Sequence, residues 1–93
     1  MDYPTVLVRW RDATSEYGHI RFDSLSAKEP DMIETVGFLA LYNQTKLVLV
    51  NGVVQDEARG QDCTVIPAGW IERVLPLGFA EYNEQDEILP EAT

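Results

Sequence analysis

Residues 33–51 carry the sequence IETVGFLALYNQTKLVLVN, and this stretch decides the fold class. Two apolar runs, 33–42 and 46–51, flank the polar residues 43–45. Apolar runs rich in β-branched and aromatic residues, separated by a few polar residues, are typical of antiparallel strands joined by a short turn. The sequence therefore predicts a central β-hairpin. Gly37 interrupts its first strand, and we expect a bulge or sharp bend there.

Alternation along this hairpin leaves both of its faces apolar. In the first strand one face carries Ile33, Leu39 and Leu41, and the other carries Val36, Phe38 and Tyr42. A strand that is apolar on both faces must be covered on both faces, and an uncovered patch usually marks an interaction surface. Two covers are open: another subunit, or the C-terminal segment with Phe79, Tyr82, Ile88 and Leu89. We expect a homo-oligomer.

The flanking sequence predicts further short strands and little helix. The predicted strands outside the hairpin are 5–11, 63–67 and 71–75, and the short alternating segment 19–22 could add an edge-like strand. Between them we expect a helical turn within 24–30, an exposed mobile loop at 52–62 and a tight turn at 68–70. Such a pattern favours a mainly β domain over residues 1–78, a small five-stranded, strongly bent sheet or barrel of the SH3-like or Sm-like kind. We expect residues 79–93 to form an acidic C-terminal tail with a helical turn near 84–89.

Two segments resemble known proteins. Residues 64–71, TVIPAGWI, are similar to the end of SH3-type barrels, where a strand stops at proline and a 3₁₀ turn carries an aromatic residue into the last strand. Together with 8–13 (VRWRDA) and 34–39 (ETVGFL), they resemble small phage- and prophage-encoded proteins of unknown function, over roughly residues 5–75. The resemblance implies a viral or mobile-element origin and no assigned activity.

Composition limits the partners and the compartment. The net charge is −9, and only 7 of the 93 residues are Lys or Arg, so the chain is poorly suited to bind nucleic acid or an anionic membrane. A basic protein surface is the expected partner. One cysteine, no signal-peptide pattern and no apolar run of membrane-spanning length favour a cytoplasmic protein, in the host cytoplasm if it is viral.

No catalytic or metal-binding pattern is recognisable. His19 is the only histidine, and Cys63 is more simply explained as a packed strand residue than as a nucleophile. The acidic residues Asp56, Glu57 and Asp62 lack the spacing of a calcium loop. We therefore expect no enzyme activity, no cofactor and no metal ion.

The candidate ligand-binding residues are Arg9, Arg11, Arg21 and Trp70. Arg9 and Arg11 share one face of the first strand, and Arg21 would approach them if its segment paired alongside. The guanidinium groups would then form an anion site, unless they pair with nearby acids such as Asp12, Glu34 or Glu72. Trp70 either packs at the rim of the core or lines a groove.

Two hypotheses of function follow. The first is a non-catalytic binding or regulatory protein, encoded by a phage or integrated element, that acts through protein–protein contacts. In one version its C-terminal carboxylates imitate phosphates on a nucleic-acid-binding host factor. The alternative is an oligomeric small-ligand binder that sequesters a nucleotide or signalling molecule between subunits, with the arginines as anion contacts.

Overall fold

The structure is a computed structural model that describes residues 3–78 and 86–92. Five strands make up most of the described chain: β1 (Thr5–Asp12), β2 (Asp31–Tyr42), β3 (Lys46–Val54), β4 (Arg59–Pro67) and β5 (Ile71–Pro76). Three short 3₁₀ turns lie between them, at Phe22–Ala27, Gln55–Glu57 and Ala68–Trp70. The mainly β prediction is confirmed.

All five strands belong to one antiparallel sheet in the order β4-β3-β2-β1-β5. The strand β1 therefore lies between β2 and β5, and the chain returns to it after the β2-β3-β4 meander. Within residues 3–78 the edge strands β4 and β5 do not pair, so the sheet is not closed into a barrel. The predicted five-stranded sheet is present, whereas the predicted closure is not.

The central hairpin is confirmed, and the Asn43 side chain organises its turn. Asn43 Oδ1 accepts hydrogen bonds from the backbone N–H groups of Thr45, at 2.9 Å, and Lys46, at 3.0 Å. The Asn43 N–H donates to the Lys46 carbonyl at 3.0 Å. Asparagine is favoured in turns because its short amide can replace backbone hydrogen-bond partners in this way.

A bulge in β2 rearranges the two faces of the hairpin. The pairing of β2 with β3 shifts register between Leu39 and Leu41, so the predicted bulge is present but lies beyond Gly37. Leu39 and Tyr42 consequently both pack against the core, while Leu41 is exposed. The prediction that Leu39 shares a face with Leu41 is wrong, because an extra residue in one strand inverts the alternation that follows it.

Gly37 does not form the predicted bulge, but the packing of β3 against β2 requires a small residue there. A Cβ atom at this position would lie 3.1 Å from the Val50 carbonyl oxygen and 3.3 Å from Leu49 Cβ. Glycine therefore permits the close approach of β3 to β2 at this point.

The main hydrophobic cluster lies on one face of the sheet, and Leu7, Val50 and Leu75 are buried on the other face. The main cluster contains the buried residues Val6, Val8, Leu47, Leu49, Ile66 and Val74. Trp10, Leu39, Tyr42, Ile71 and Ile88 pack against this cluster and are partly buried. The core therefore draws on four of the strands through buried residues, and on β2 through partly buried ones.

Two predicted segments differ from the structure. Residues 19–22 do not form a strand, and β1 has no free edge for them because it pairs with β2 on one side and β5 on the other. The predicted mobile loop at 52–62 is a second hairpin, in which β3 and β4 continue to a turn after Val54. Its polar residues belong largely to β4, an edge strand that is exposed along most of its length.

Part of the predicted acidic tail contacts the sheet. The Ile88 N–H donates to the Val74 carbonyl at 2.8 Å, and the Glu91 N–H donates to the Tyr42 carbonyl at 2.9 Å. Residues 86–92 thus connect β5 with the end of β2. Burial, and then the nearby charge of Glu87, raise the pKa of Tyr42 above its ordinary value. Phe79, Tyr82 and the first two residues of the predicted turn at 84–89 lie outside the described residues, and residues 87–89 are not helical.

Among the described residues, no helix has the length and apolar character required to cross a membrane.

Candidate functional site

Two tryptophans stack at one end of the core. Trp10 lies in β1, and Trp70 ends the 3₁₀ turn that follows Pro67. The β1–β5 register shifts next to Arg9 and places Ile71 opposite Trp10, which brings the preceding Trp70 over the Trp10 ring. The ring centroids are 6.4 Å apart with an interplanar angle of 11°. Trp10 is itself anchored, since its Nε1 donates to Thr35 Oγ1 at 3.0 Å.

A groove of about 350 Å³ borders this stack. Its walls come from the end of β1, the end of the loop that precedes β2, the 3₁₀ turn Ala68–Trp70 and the start of β5. The surface of the groove is mostly apolar. The lining residues are Arg11, Asp12, Ala13, Pro30, Gly69, Trp70, Ile71 and Glu72. Trp70 remains 44% exposed although its ring is stacked. We call this the Trp70 groove.

Arg11 is held inside the groove by carboxylates. Its Nε donates to Glu72 Oε1 at 2.6 Å, and its Nη1 lies 3.8 Å from Glu29 Oε2. The hydrogen bond to Glu72, followed by the charge of that residue, raises the pKa of Arg11. The Arg11 guanidinium is therefore ion-paired in the wall of the groove, with its side chain 39% exposed.

The other predicted arginines are also bonded to acids. Arg9 Nε donates to Glu34 Oε2 at 2.9 Å. Arg21 lies in the loop 13–30, donates to Asp23 at 2.8 and 3.2 Å, and has its pKa raised by that hydrogen bond. The structure thus brings Arg11 and Trp70 together, while Arg9 and Arg21 do not line the groove. The bonds of these arginines to acids are pairings of the kind that sequence analysis named as the alternative to an anion site.

Sequence analysis missed a pair of carboxylates beside the groove. Asp12 ends β1 and lies directly opposite Asp31, the first residue of β2. Asp12 follows Trp10 on the same face of the strand. Asp12 Oδ1 accepts a hydrogen bond from the Ala13 N–H at 2.9 Å, and neither carboxylate belongs to an ion pair within residues 3–78 and 86–92. Only the strand register, which the sequence does not state, brings them together.

The loop 13–30 next to the groove exposes three large apolar side chains. Tyr17 is 92% exposed, Phe22 85% and Leu25 48%. The loop nevertheless has defined contacts, because Lys28 Nζ lies 2.6 Å from Glu16 Oε1 and the Lys28 N–H donates to the Leu25 carbonyl at 3.1 Å. Large apolar side chains that stay in water on an organised loop are typical of contact surfaces.

A second apolar surface lies on the face of the sheet opposite the core. Leu41, Val48 and Val65 are register partners across β2, β3 and β4 and form one row. Leu41 and Val65 are exposed, and Val48 is half-buried. We call these residues the outer row. The row is the exposed part of the hairpin's second apolar face, on which Val50 is buried, and the bulge leaves Leu41 as its member from β2.

The remaining chemical candidates lie apart from the groove. His19 is in the loop 13–30, and Cys63 is in β4. Cys63 is exposed, so the prediction of a packed cysteine is wrong, since β4 is an edge strand with one buried residue. Glu57 pairs with Arg59, and Asp62 lies within β4. The described residues contain no group of three or more His, Cys, Asp or Glu side chains placed to hold a metal ion.

No protein-family model matches the chain, and no curated protein or solved structure is significantly similar to it.

Proposed function

We propose that this chain is a non-catalytic binding or regulatory protein that acts through protein–protein contacts, and that the Trp70 groove is its contact site. The observation that carries this proposal is the Trp70 indole, which is stacked on Trp10 at 6.4 Å and yet 44% exposed. The stack fixes the ring in place, so a partner that covers it loses little side-chain entropy.

Tryptophan is among the residues that contribute most to protein interfaces, in particular when it lies in a pocket that excludes water. The neighbouring loop 13–30 supports a protein partner, because its end residues Ala13 and Pro30 also line the groove. The loop also carries the exposed side chains of Phe22 and Tyr17. The groove and the loop are therefore joined through Ala13 and Pro30.

The experiment is partner recovery by the tagged full chain from cells of the source organism, compared with two variants. Trp70→Leu removes the exposed indole but keeps an apolar group against Trp10. Val36→Thr is the matched control, since Val36 is exposed at 48% on the face opposite the core. We expect wild type and Val36→Thr to recover the same protein and Trp70→Leu to lose it. Recovery of nothing by wild type, or equal recovery by Trp70→Leu, would refute the proposal.

Self-association through the outer row is part of the same proposal. Its support is the row Leu41, Val48 and Val65, which carries no charge on a chain whose net charge is −9. Like-charged copies approach most easily where neither presents a charge. Light scattering on a sizing column should give the mass of a discrete oligomer for wild type and of a monomer for Val65→Glu. A monomeric wild type at micromolar concentration contradicts this part.

The proposal extends to origin, location and fold family. We place the protein in the cytoplasm of a host cell and its gene in a phage or integrated element, on the resemblance of residues 5–75. We assign the sheet to the SH3-like or Sm-like group, supported by the position of β1 between β2 and β5 and by the 3₁₀ turn before β5. A gene surrounded by ordinary chromosomal genes, with no phage gene nearby, would contradict the origin.

A further inference from the structure

Beyond a generic protein contact, the Trp70 groove has a charge pattern that selects its ligand. Two carboxylates, Asp12 and Glu72, line it, and Glu29 lies 3.8 Å from the single lining arginine, Arg11. Arg11 is matched by its hydrogen bond to Glu72. The acidic groups around the groove therefore exceed its cations before Asp31 is counted.

The pair Asp12 and Asp31 adds a second reason to expect a cation. Like charges on directly opposite residues of neighbouring strands repel and destabilise the pairing. Residues 3–78 and 86–92 supply no Lys or Arg ion pair to either carboxylate. A cationic side chain from a partner would relieve this repulsion while it contacts the groove.

The tryptophan stack determines which cation fits best. Trp10 covers one face of the Trp70 indole, and the rest of that ring is available to the groove. A guanidinium is planar, stacks on an indole face and can donate to a carboxylate in the same plane, whereas an ammonium is a compact and strongly hydrated point charge.

We propose that the Trp70 groove binds an arginine side chain of a partner protein, with the guanidinium stacked on Trp70 and hydrogen-bonded to Asp12. The proposal rests on the proposed function and names the chemistry that the contact recognises. The net charge of −9 favours approach of a basic segment to this chain, and the groove gives that segment a specific place to bind.

The test uses the full chain and three short peptides, each acetylated and amidated. The first alternates arginine with alanine, the second replaces arginine with neutral citrulline of nearly the same shape, and the third replaces it with lysine. Titration calorimetry and tryptophan fluorescence measure the dissociation constants. We expect the arginine peptide to bind about tenfold more tightly than the citrulline peptide, and more tightly than the lysine peptide.

Variants locate the binding. Trp70→Leu should weaken arginine-peptide binding about tenfold, Trp70→Phe less, and Asp12→Asn roughly threefold. Asp62→Asn is the matched control: it removes the same charge from β4, and asparagine tolerates the positive φ of 52° at that position. It should leave the dissociation constant within about twofold. Thermal unfolding of each variant shows that it is folded.

The proposal is overturned if the arginine peptide does not bind, if citrulline or lysine peptides bind equally well, or if Asp62→Asn weakens binding as much as Asp12→Asn. The last result would mean diffuse attraction to an acidic protein. If the peptides fail while Trp70→Leu still loses the cellular partner, only the arginine assignment is wrong. If Trp70→Leu keeps that partner, the proposed function is wrong.

Discussion

The two connections that border β2 differ in what holds them. The turn 43–45, after β2, is short and is closed by the Asn43 side chain, which accepts from two backbone N–H groups at 2.9 and 3.0 Å. The loop 13–30, before β2, is long and has side-chain ion pairs, and its large apolar residues Tyr17 and Phe22 point into solvent. Both connections join antiparallel strands that pair along their length.

The turn 43–45 therefore helps to align the strands that it joins, whereas the loop 13–30 is positioned by strands that pair without its help. The turn brings β2 and β3 into register by hydrogen bonds between residues close in sequence. The loop contributes no residue to the buried core cluster, although its ends are fixed by the register of Asp12 with Asp31. The pairing of β1 with β2 fixes the two ends of the loop. The exposed apolar residues of the loop therefore remain accessible to another molecule.

Between the two connections, we expect substitutions in the turn 43–45 to lower the free energy of unfolding the most. Asn43→Ala leaves the N–H groups of Thr45 and Lys46 without their side-chain acceptor. We expect the free energy of unfolding to fall by about 1–2 kcal/mol, measured by chemical denaturation.

Gln44→Ala is the matched control in the same turn, because the Gln44 side chain makes one long hydrogen bond, 3.4 Å, to the Glu91 carbonyl. It should change stability by less than about 0.5 kcal/mol. Equal losses for the two variants would show that the Asn43 amide does not organise the turn.

We expect substitutions of exposed apolar residues in the loop 13–30 to change the free energy of unfolding the least. The double variant Phe22→Ser and Leu25→Ser removes two exposed apolar side chains of the turn Phe22–Ala27. The free energy of unfolding should stay within about 0.5 kcal/mol of the wild type, because neither side chain is buried in this protein.

Leu47→Ala is the comparison variant, because Leu47 is a core residue with 0% exposure. It should lower the free energy of unfolding by about 2–5 kcal/mol. A comparable loss for the loop variant would mean that Phe22 and Leu25 support the fold, and the distinction between the two connections would disappear.

The elements that sequence analysis predicts correctly are those with local signals. The hairpin follows from two apolar runs around 43–45, and the β4–β5 corner follows from Pro67 and the turn Ala68–Trp70. The segment 19–22 alternates like a strand but does not pair with β1, whose two edges are occupied by β2 and β5. The segment 52–62 is polar like a loop, yet most of it is strand, since an edge strand can be polar and exposed.

The candidate site likewise contains residues that the sequence predicts and residues that only the strand register brings together. Arg11 and Trp70 are predicted individually, and they do line one groove. Arg21 is excluded from it because its segment does not pair with β1. Asp12 and Asp31 could not be identified in advance, since they are distant in the chain and meet only through the β1–β2 register.

The amino-acid sequence alone determined the mainly β character, the central hairpin with its asparagine turn, and an acidic chain whose hairpin is apolar on both faces. These features depend on alternation, turn chemistry and charge, which act over a few residues or by simple summation. The tertiary structure decided the strand order, the bulge after Leu39, the open edges of the sheet and the stacking of Trp10 with Trp70. These depend on register between distant segments, and a shift of one residue in register moves every side chain to the opposite face.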